Sequence, residues 1–167
     1  MIGEINGKVA AVLPANIDTD IIYPGRFLNI TDREKTAEHL FELAYPEIAQ
    51  RIEPGDILVA GRNFGCGSSR EQAAAAVKFR GVSAIVAESF ARIFFRNAIN
   101  LGLPLIISPE AVAQVKEGDS LTFDLTAGII CNLTSGAAYT SAPLDPRAID
   151  LIEAGGLVPY LRQKYAA

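Results

Sequence analysis

At 167 residues, half of them apolar, the chain has enough sequence to bury a substantial core as one compact domain over residues 1–167. A formal charge of −4 and a pI near 5.0 provide no basic field for nucleic acid or an acidic membrane surface. Residues 1–8 lack a basic segment followed by a long apolar core, and no apolar run approaches a membrane span, so the expected location is cytoplasmic.

Residues 5–13 read as a hairpin with Asn6-Gly7 as its tight turn. A loop rich in Asp, Pro and Gly follows from 14 to 33, a length that compact domains mostly reserve for function. Residues 34–45 carry Ala37, Leu40, Phe41 and Ala44 at helical spacing and stop before Pro46, which puts His39 on a helix surface. Strand 56–60, helix 69–80, strand 83–87, helix 89–100 and strand 104–107 then form a β–α–β–α–β succession, whose natural outcome is an α/β fold with a parallel central sheet. A short helix over 110–116 ends at Gly118. Strands 120–125 and 129–133 flank Thr126-Ala127-Gly128 as a hairpin, and 139–142 adds a further strand. The tail from 146 to 165 reads as a helix interrupted at Gly155-Gly156, with a second short helix after Pro159.

The most informative stretch is residues 61–71, Gly-Arg-Asn-Phe-Gly-Cys-Gly-Ser-Ser-Arg-Glu, between a strand and a helix start. Gly61, Gly65 and Gly67 let the backbone turn tightly and approach a ligand. The first N–H groups of the helix have no internal partners and favour an anion. Ser68 and Ser69 add hydroxyls there, and Arg70 adds a planar fork that matches a carboxylate at two points. Ser69 is also what an ordinary helix N-cap looks like, but capping explains neither the glycines nor an arginine in the first turn, where the helix dipole disfavours a cation.

Cys66 and Cys131 are the only thiols and His39 the only histidine, too few soft ligands for a zinc or iron–sulfur site in this chain. Cys66, within the glycine loop, reads either as a thiol activated by Arg62 or Arg70 or as a small loop-lining residue. Cys131 reads as strand filler. Asp18 and Asp20 read either as Asx-turn residues or as part of a site, and nothing nearby completes a Mg²⁺ site around them.

Four stretches in order, residues 16–22 (Asn-Ile-Asp-Thr-Asp-Ile-Ile), the glycine loop 61–71, residues 87–97 (Ala-Glu-Ser-Phe-Ala-Arg-Ile-Phe-Phe-Arg-Asn) and residues 100–104 (Asn-Leu-Gly-Leu-Pro), together resemble the small subunits of the 3-isopropylmalate dehydratase family, the counterpart of the swivelling domain of aconitase. The resemblance implies a swivelling β/β/α domain of the aconitase C-terminal type, acting in a hydro-lyase that shifts a hydroxyl between adjacent carbons of a small hydroxy-diacid. It implies a large partner subunit carrying a [4Fe-4S] cluster, whose open iron is the Lewis acid, and a small subunit inactive alone.

By the same resemblance Ser68, as an alkoxide, removes the proton next to a carboxylate. Arg70 clamps a carboxylate, Ser69 supports it, Gly65 and Gly67 shape the binding loop, and Asp20 orients a neighbouring group or a water. Ser89 is expected to cap the helix at 89–100, with Phe90, Ile93 and Phe94 on its core face; Arg92 and Asn97 read either as support for the active-site loops or, the favoured reading, as core support. In the family the segment after the Pro-Gly turn sets substrate choice, arginine suiting the extra carboxylate of homoaconitase substrates and an apolar residue the isopropyl group. Here Asn29 is neither, and Phe27, Leu28 and Ile30 offer an apolar lining, which tilts the expectation toward isopropylmalate or dimethylmalate. A non-catalytic module that holds carboxylate or phosphate on the glycine loop is the alternative from a different class.

Overall fold

The computed structural model describes residues 5–166. Strands β1 (Ile5–Leu13), β2 (Ile57–Ala60), β3 (Ala84–Ala87), β4 (Leu105–Ile107), β5 (Ser120–Asp124), β6 (Ile129–Asn132) and β7 (Ala138–Thr140) make one seven-stranded sheet in the order β4-β3-β2-β1-β5-β6-β7. β1 to β4 run parallel, and β5 to β7 continue the sheet antiparallel. β2 and β3 are buried at every residue because both sheet faces are covered, as their unbroken Ile-Leu-Val-Ala and Ala-Ile-Val-Ala runs require.

On one face, helices α4 (Glu71–Phe79) and α5 (Arg92–Asn100) and the 14–52 segment enclose Ile17, Tyr23, Phe41, Phe64, Val77 and Phe94. On the other, α6 (Pro109–Gln114) covers Val9, Ile57, Val86, Leu121 and Phe123. Ala73, Ala74 and Ala76 are fully buried, so the alanine run is the thin side of α4 that lets neighbouring helices, that of Arg33–Glu38 above all, approach its backbone closely.

The expected hairpin at Asn6-Gly7 is absent; both residues lie within the continuous β1, where Gly7 pairs with Leu121. Pairing of residues 5–8 with β5 across the sheet overrides the Asn-Gly signal. The expected helix over 34–45 ends early, as α2 (Arg33–Glu38), because Phe41 takes a φ of 56° that buries its ring and sends its N–H to the Ile22 carbonyl at 2.9 Å. Pro46, read as a stop, instead occupies the first turn of an unexpected helix, α3 (Pro46–Arg51), where the missing N–H costs nothing. The tail forms α7 (Pro146–Ala154), which ends at the left-handed Gly155, and α8 (Leu157–Lys164), which starts before Pro159 and takes that residue into its first turn.

Candidate active site

The carboxyl ends of β1, β2 and β3 lead into three loops that are laced together by backbone hydrogen bonds. Asn16 N–H donates to the Arg62 carbonyl (2.9 Å), Gly65 N–H to Ile17 (2.7 Å), and Thr19 N–H to Cys66 (2.9 Å). From the other side Phe64 N–H donates to Ser89 (3.1 Å) and Ala91 N–H to Phe64 (2.9 Å). The glycine loop is thus held between the two segments that flank it, at the carboxyl ends of the strands, where open α/β folds bind ligands.

Within it Gly65 and Gly67 have φ of 86° and 92°, a region that residues with a side chain seldom enter. A Cβ placed on Gly65 would lie 2.3 Å from Cγ of the buried Phe94. The buried Thr19 donates its hydroxyl to the Ser68 carbonyl at 2.8 Å, which fixes the peptide at the tip of the turn. Among the described residues, the N–H groups of Gly67, Ser68, Ser69 and Arg70 have no acceptor. These are the fixed donors an oxyanion needs.

Ser69 does not cap α4. The N-cap is Arg70, with extended backbone and no side-chain hydrogen bond to the helix, so the hydroxyls of Ser68 and Ser69 remain available on an exposed turn. Arg70 turns to Asp20, with Nη1 2.7 Å from Oδ1, and the same oxygen accepts the Gly25 N–H at 2.9 Å. The Arg70 hydrogen bond, followed by that of Gly25, holds the Asp20 carboxyl below its usual range. Asp20 is 66 % exposed and Arg70 20 %, so the pair fixes the direction of the guanidinium more than it stabilises the fold. Asp18 has the simpler role of capping α1 (Thr19–Ile22), accepting the Ile21 N–H at 2.8 Å.

A cavity of about 230 Å³, open to solvent, is lined by Ser68, Ser69 and Arg70 on one side and Arg92, Ile93 and Asn97 of α5 on the other, with Gly65 and Gly67 at its floor. Arg92 and Asn97 therefore line the site instead of supporting the core, and Ile93 lies on the cavity side of α5, half-exposed. Ser89 does not cap α5, which begins three residues later at Arg92; its Oγ accepts the Asn63 N–H at 2.8 Å and so braces the glycine loop.

Asn29 is exposed and lies outside the cavity lining, as do Leu28 and Ile30. Phe27, expected to line a pocket, is stacked on His39 with ring centroids 3.7 Å apart, and His39 caps the end of α2 within 2.8 Å of Glu42 in place of a helix-surface position. The Tyr23 hydroxyl donates to the Phe27 carbonyl at 2.7 Å, and burial pushes that phenol up from its ordinary value. Of the sequence-derived candidates, Ser68, Ser69, Arg70, Gly65, Gly67 and Asp20 are gathered at one place, and Asn29 is not. Thr19 and the first turn of α5 are the additions. The signal for the latter was an arginine at a helix start, the same anomaly that marked Arg70.

The donor set does not fit an iron–sulfur cluster. The described residues contain no group of three or more His, Cys, Asp or Glu able to share a metal, and Cys131 on β6 is three strands from β2, roughly 14 Å across the sheet, whereas Cys66 is in the loop beyond it.

The description of the aconitase C-terminal domain matches residues 43–110, which contain the glycine loop and α5. The 3-isopropylmalate dehydratase small subunit of Moorella thermoacetica is 55 % identical over 149 residues, 89 % of this chain and 90 % of that protein. The chain belongs to the 3-isopropylmalate dehydratase small-subunit family. The crystal structure of 3-isopropylmalate dehydratase from Methanocaldococcus jannaschii superposes with a TM-score of 0.90 at 38 % identity, covering 97 % of this chain and 95 % of that one, so the swivelling α/β fold is the family's. A methanogen homoaconitase small subunit from Methanothermobacter thermautotrophicus is 51 % identical over 158 residues, 95 % of this chain and 91 % of its own length. Relatives of this chain thus carry the names of two different enzymes, 3-isopropylmalate dehydratase and homoaconitase.

Proposed function

We propose that this chain is the small subunit of a heteromeric hydro-lyase that interconverts 2- and 3-isopropylmalate, with a large subunit that completes the site and carries the iron–sulfur cluster. The observation that carries the reading is the convergence of Ser68, Ser69 and Arg70 on one open cavity, with Arg70 aimed by Asp20.

Ser68 removes the proton from the carbon next to a carboxylate as hydroxyl leaves the adjacent carbon, giving the alkene diacid; readdition in the opposite sense gives the isomer. A serine oxyanion is strongly basic, and the free N–H groups of the loop with the start of α4 supply its stabilisation. Arg70 holds a substrate carboxylate through the guanidinium nitrogens that Asp20 leaves free, and Ser69 adds a donor. Asp20 is a positioning residue. Asn29, exposed beyond the cavity wall, meets substrate only if the 24–30 segment moves inward.

The test is to combine the chain with its large partner and follow alkene formation from isopropylmalate. The pair turns over, the isolated chain does not, and Ser68→Ala abolishes turnover while retaining substrate affinity. Full activity of the isolated chain overturns the two-subunit reading, and undiminished turnover by Ser68→Ala overturns the assignment of the base. Because one relative is named for homoaconitase, rates on homocitrate and dimethylmalate belong in the same assay, and a faster rate on either replaces isopropylmalate as substrate.

A further inference from the structure

The first turn of α5 presents two groups to the cavity that the fold itself leaves unused. Arg92 is the opening residue of the nine-residue α5, where the positive end of the helix dipole disfavours a cation. Its side chain is exposed and has no ion pair or hydrogen bond with any described residue. Ile93 beside it is a large apolar side chain left 50 % exposed, on the wall continued by Ala91 and Phe94. A cation set against the local field and an isoleucine set against water are both unfavourable to the free chain, and both face the same space.

The charges decide what that space accepts. Arg70 and Arg92 are the only ionisable side chains among the described cavity-lining residues, and the Arg70 charge is already balanced by Asp20. On this chain's side of the site, Arg92 is therefore the positive charge left unbalanced for a second carboxylate. We propose that the first turn of α5 is the second half of the recognition surface, with Arg92 binding the carboxylate that Arg70 does not hold and Ile93 packing against the alkyl branch of the substrate. This rests on the hydroxy-diacid reading above and adds to it the residues that select the diacid and its branch.

The test uses the chain assembled with its large subunit, comparing wild type, Arg92→Ala, Arg92→Lys and Ile93→Ala on isopropylmalate and on a malate bearing methyl in place of isopropyl. The large subunit is titrated to saturation for each variant. Arg92→Ala lowers kcat/KM about 10–100-fold on both diacids, chiefly through KM. Arg92→Lys recovers part of this, keeping the charge without the two-point fork. Ile93→Ala reduces the preference for isopropyl over methyl by roughly 10-fold, a change of selectivity that a merely structural residue does not produce.

Variants that match wild type while the wild-type pair is active overturn this proposal alone. Losses that disappear once the large subunit saturates make α5 a docking surface and likewise overturn it. A wild-type pair inactive on both diacids overturns the function reading, and this proposal with it.

Discussion

Replacing Gly65 with alanine probes the contact on which the site's shape depends. The new methyl carbon would stand 2.3 Å from Cγ and 2.4 Å from Cβ of Phe94, a buried side chain of α5, at a backbone φ of 86°. The left-handed backbone costs about 1–2 kcal/mol and the overpacking a further 1–3 kcal/mol or so. At roughly 2–4 °C per kcal/mol for a chain of this size, the combined 2–5 kcal/mol lowers Tm by about 4–20 °C.

Gly67→Ala is the control. Its φ is 92°, but its methyl would have Asp18 Cβ as nearest neighbour at 3.5 Å, an ordinary contact, so only the backbone term applies. Thermal melts of both variants with the double variant Gly65→Ala/Phe94→Ala separate the terms. Removing the ring abolishes the clash, so the double variant is more stable than the sum of its single changes by about 1–3 kcal/mol. Activity of Gly65→Ala with the large subunit also falls, because relief of the clash moves the first turn of α5 away from Ser68. Equal melts for Gly65→Ala and Gly67→Ala, or strict additivity with Phe94→Ala, would refute the steric account.

Thr19→Val keeps the shape but leaves the Ser68 carbonyl without its 2.8 Å donor, so it costs about 1–2 kcal/mol in denaturant unfolding and lowers turnover through a loosened Ser68 peptide; unchanged turnover removes Thr19 from the positioning set. Tyr23 has a phenol raised by burial, so above pH 10 the unfolded chain releases this proton before the folded chain does. Folding stability therefore falls with rising pH there, and Tyr23→Phe lacks that share of the alkaline loss while costing about 1 kcal/mol near neutrality, as paired pH–stability curves would register.

The parallel half of the fold was legible because each element there is specified locally. The all-apolar runs of β2 and β3 and the periodicity of α4 and α5 do not depend on distant partners, and only their ends shift by a few residues. Asn6-Gly7 was misleading because β1 finds β5 over a hundred residues away. The end of α2 was hidden because the backbone of Phe41 follows from burying its ring, which no local propensity records. At the site, Ser68, Ser69 and Arg70 stood out from the glycine pattern, whereas Asp20 came from the family resemblance, its aspartate-rich loop alone leaving an Asx-turn equally open. Ile93 was assigned to the core, and Arg92 to core support ahead of the active-site loops, because periodicity identifies which side of a helix is apolar, but not which neighbour stops short and leaves a gap. Asn29 was placed from sequence order, whereas its segment is tied back by Gln72 to the Leu28 carbonyl at 3.2 Å and by Tyr23 to Phe27.

β1 changes partner along its length, its first residues lying against β5 and its later ones against β2. During synthesis, the first residues of β1 must therefore wait for residues near position 120 before that pairing with β5 can form. Until then they present an open edge to the ribosome exit and to other nascent chains. Closure of that long loop is consequently a step the sheet cannot assemble without, and such non-local pairing slows folding relative to a sheet of sequential neighbours.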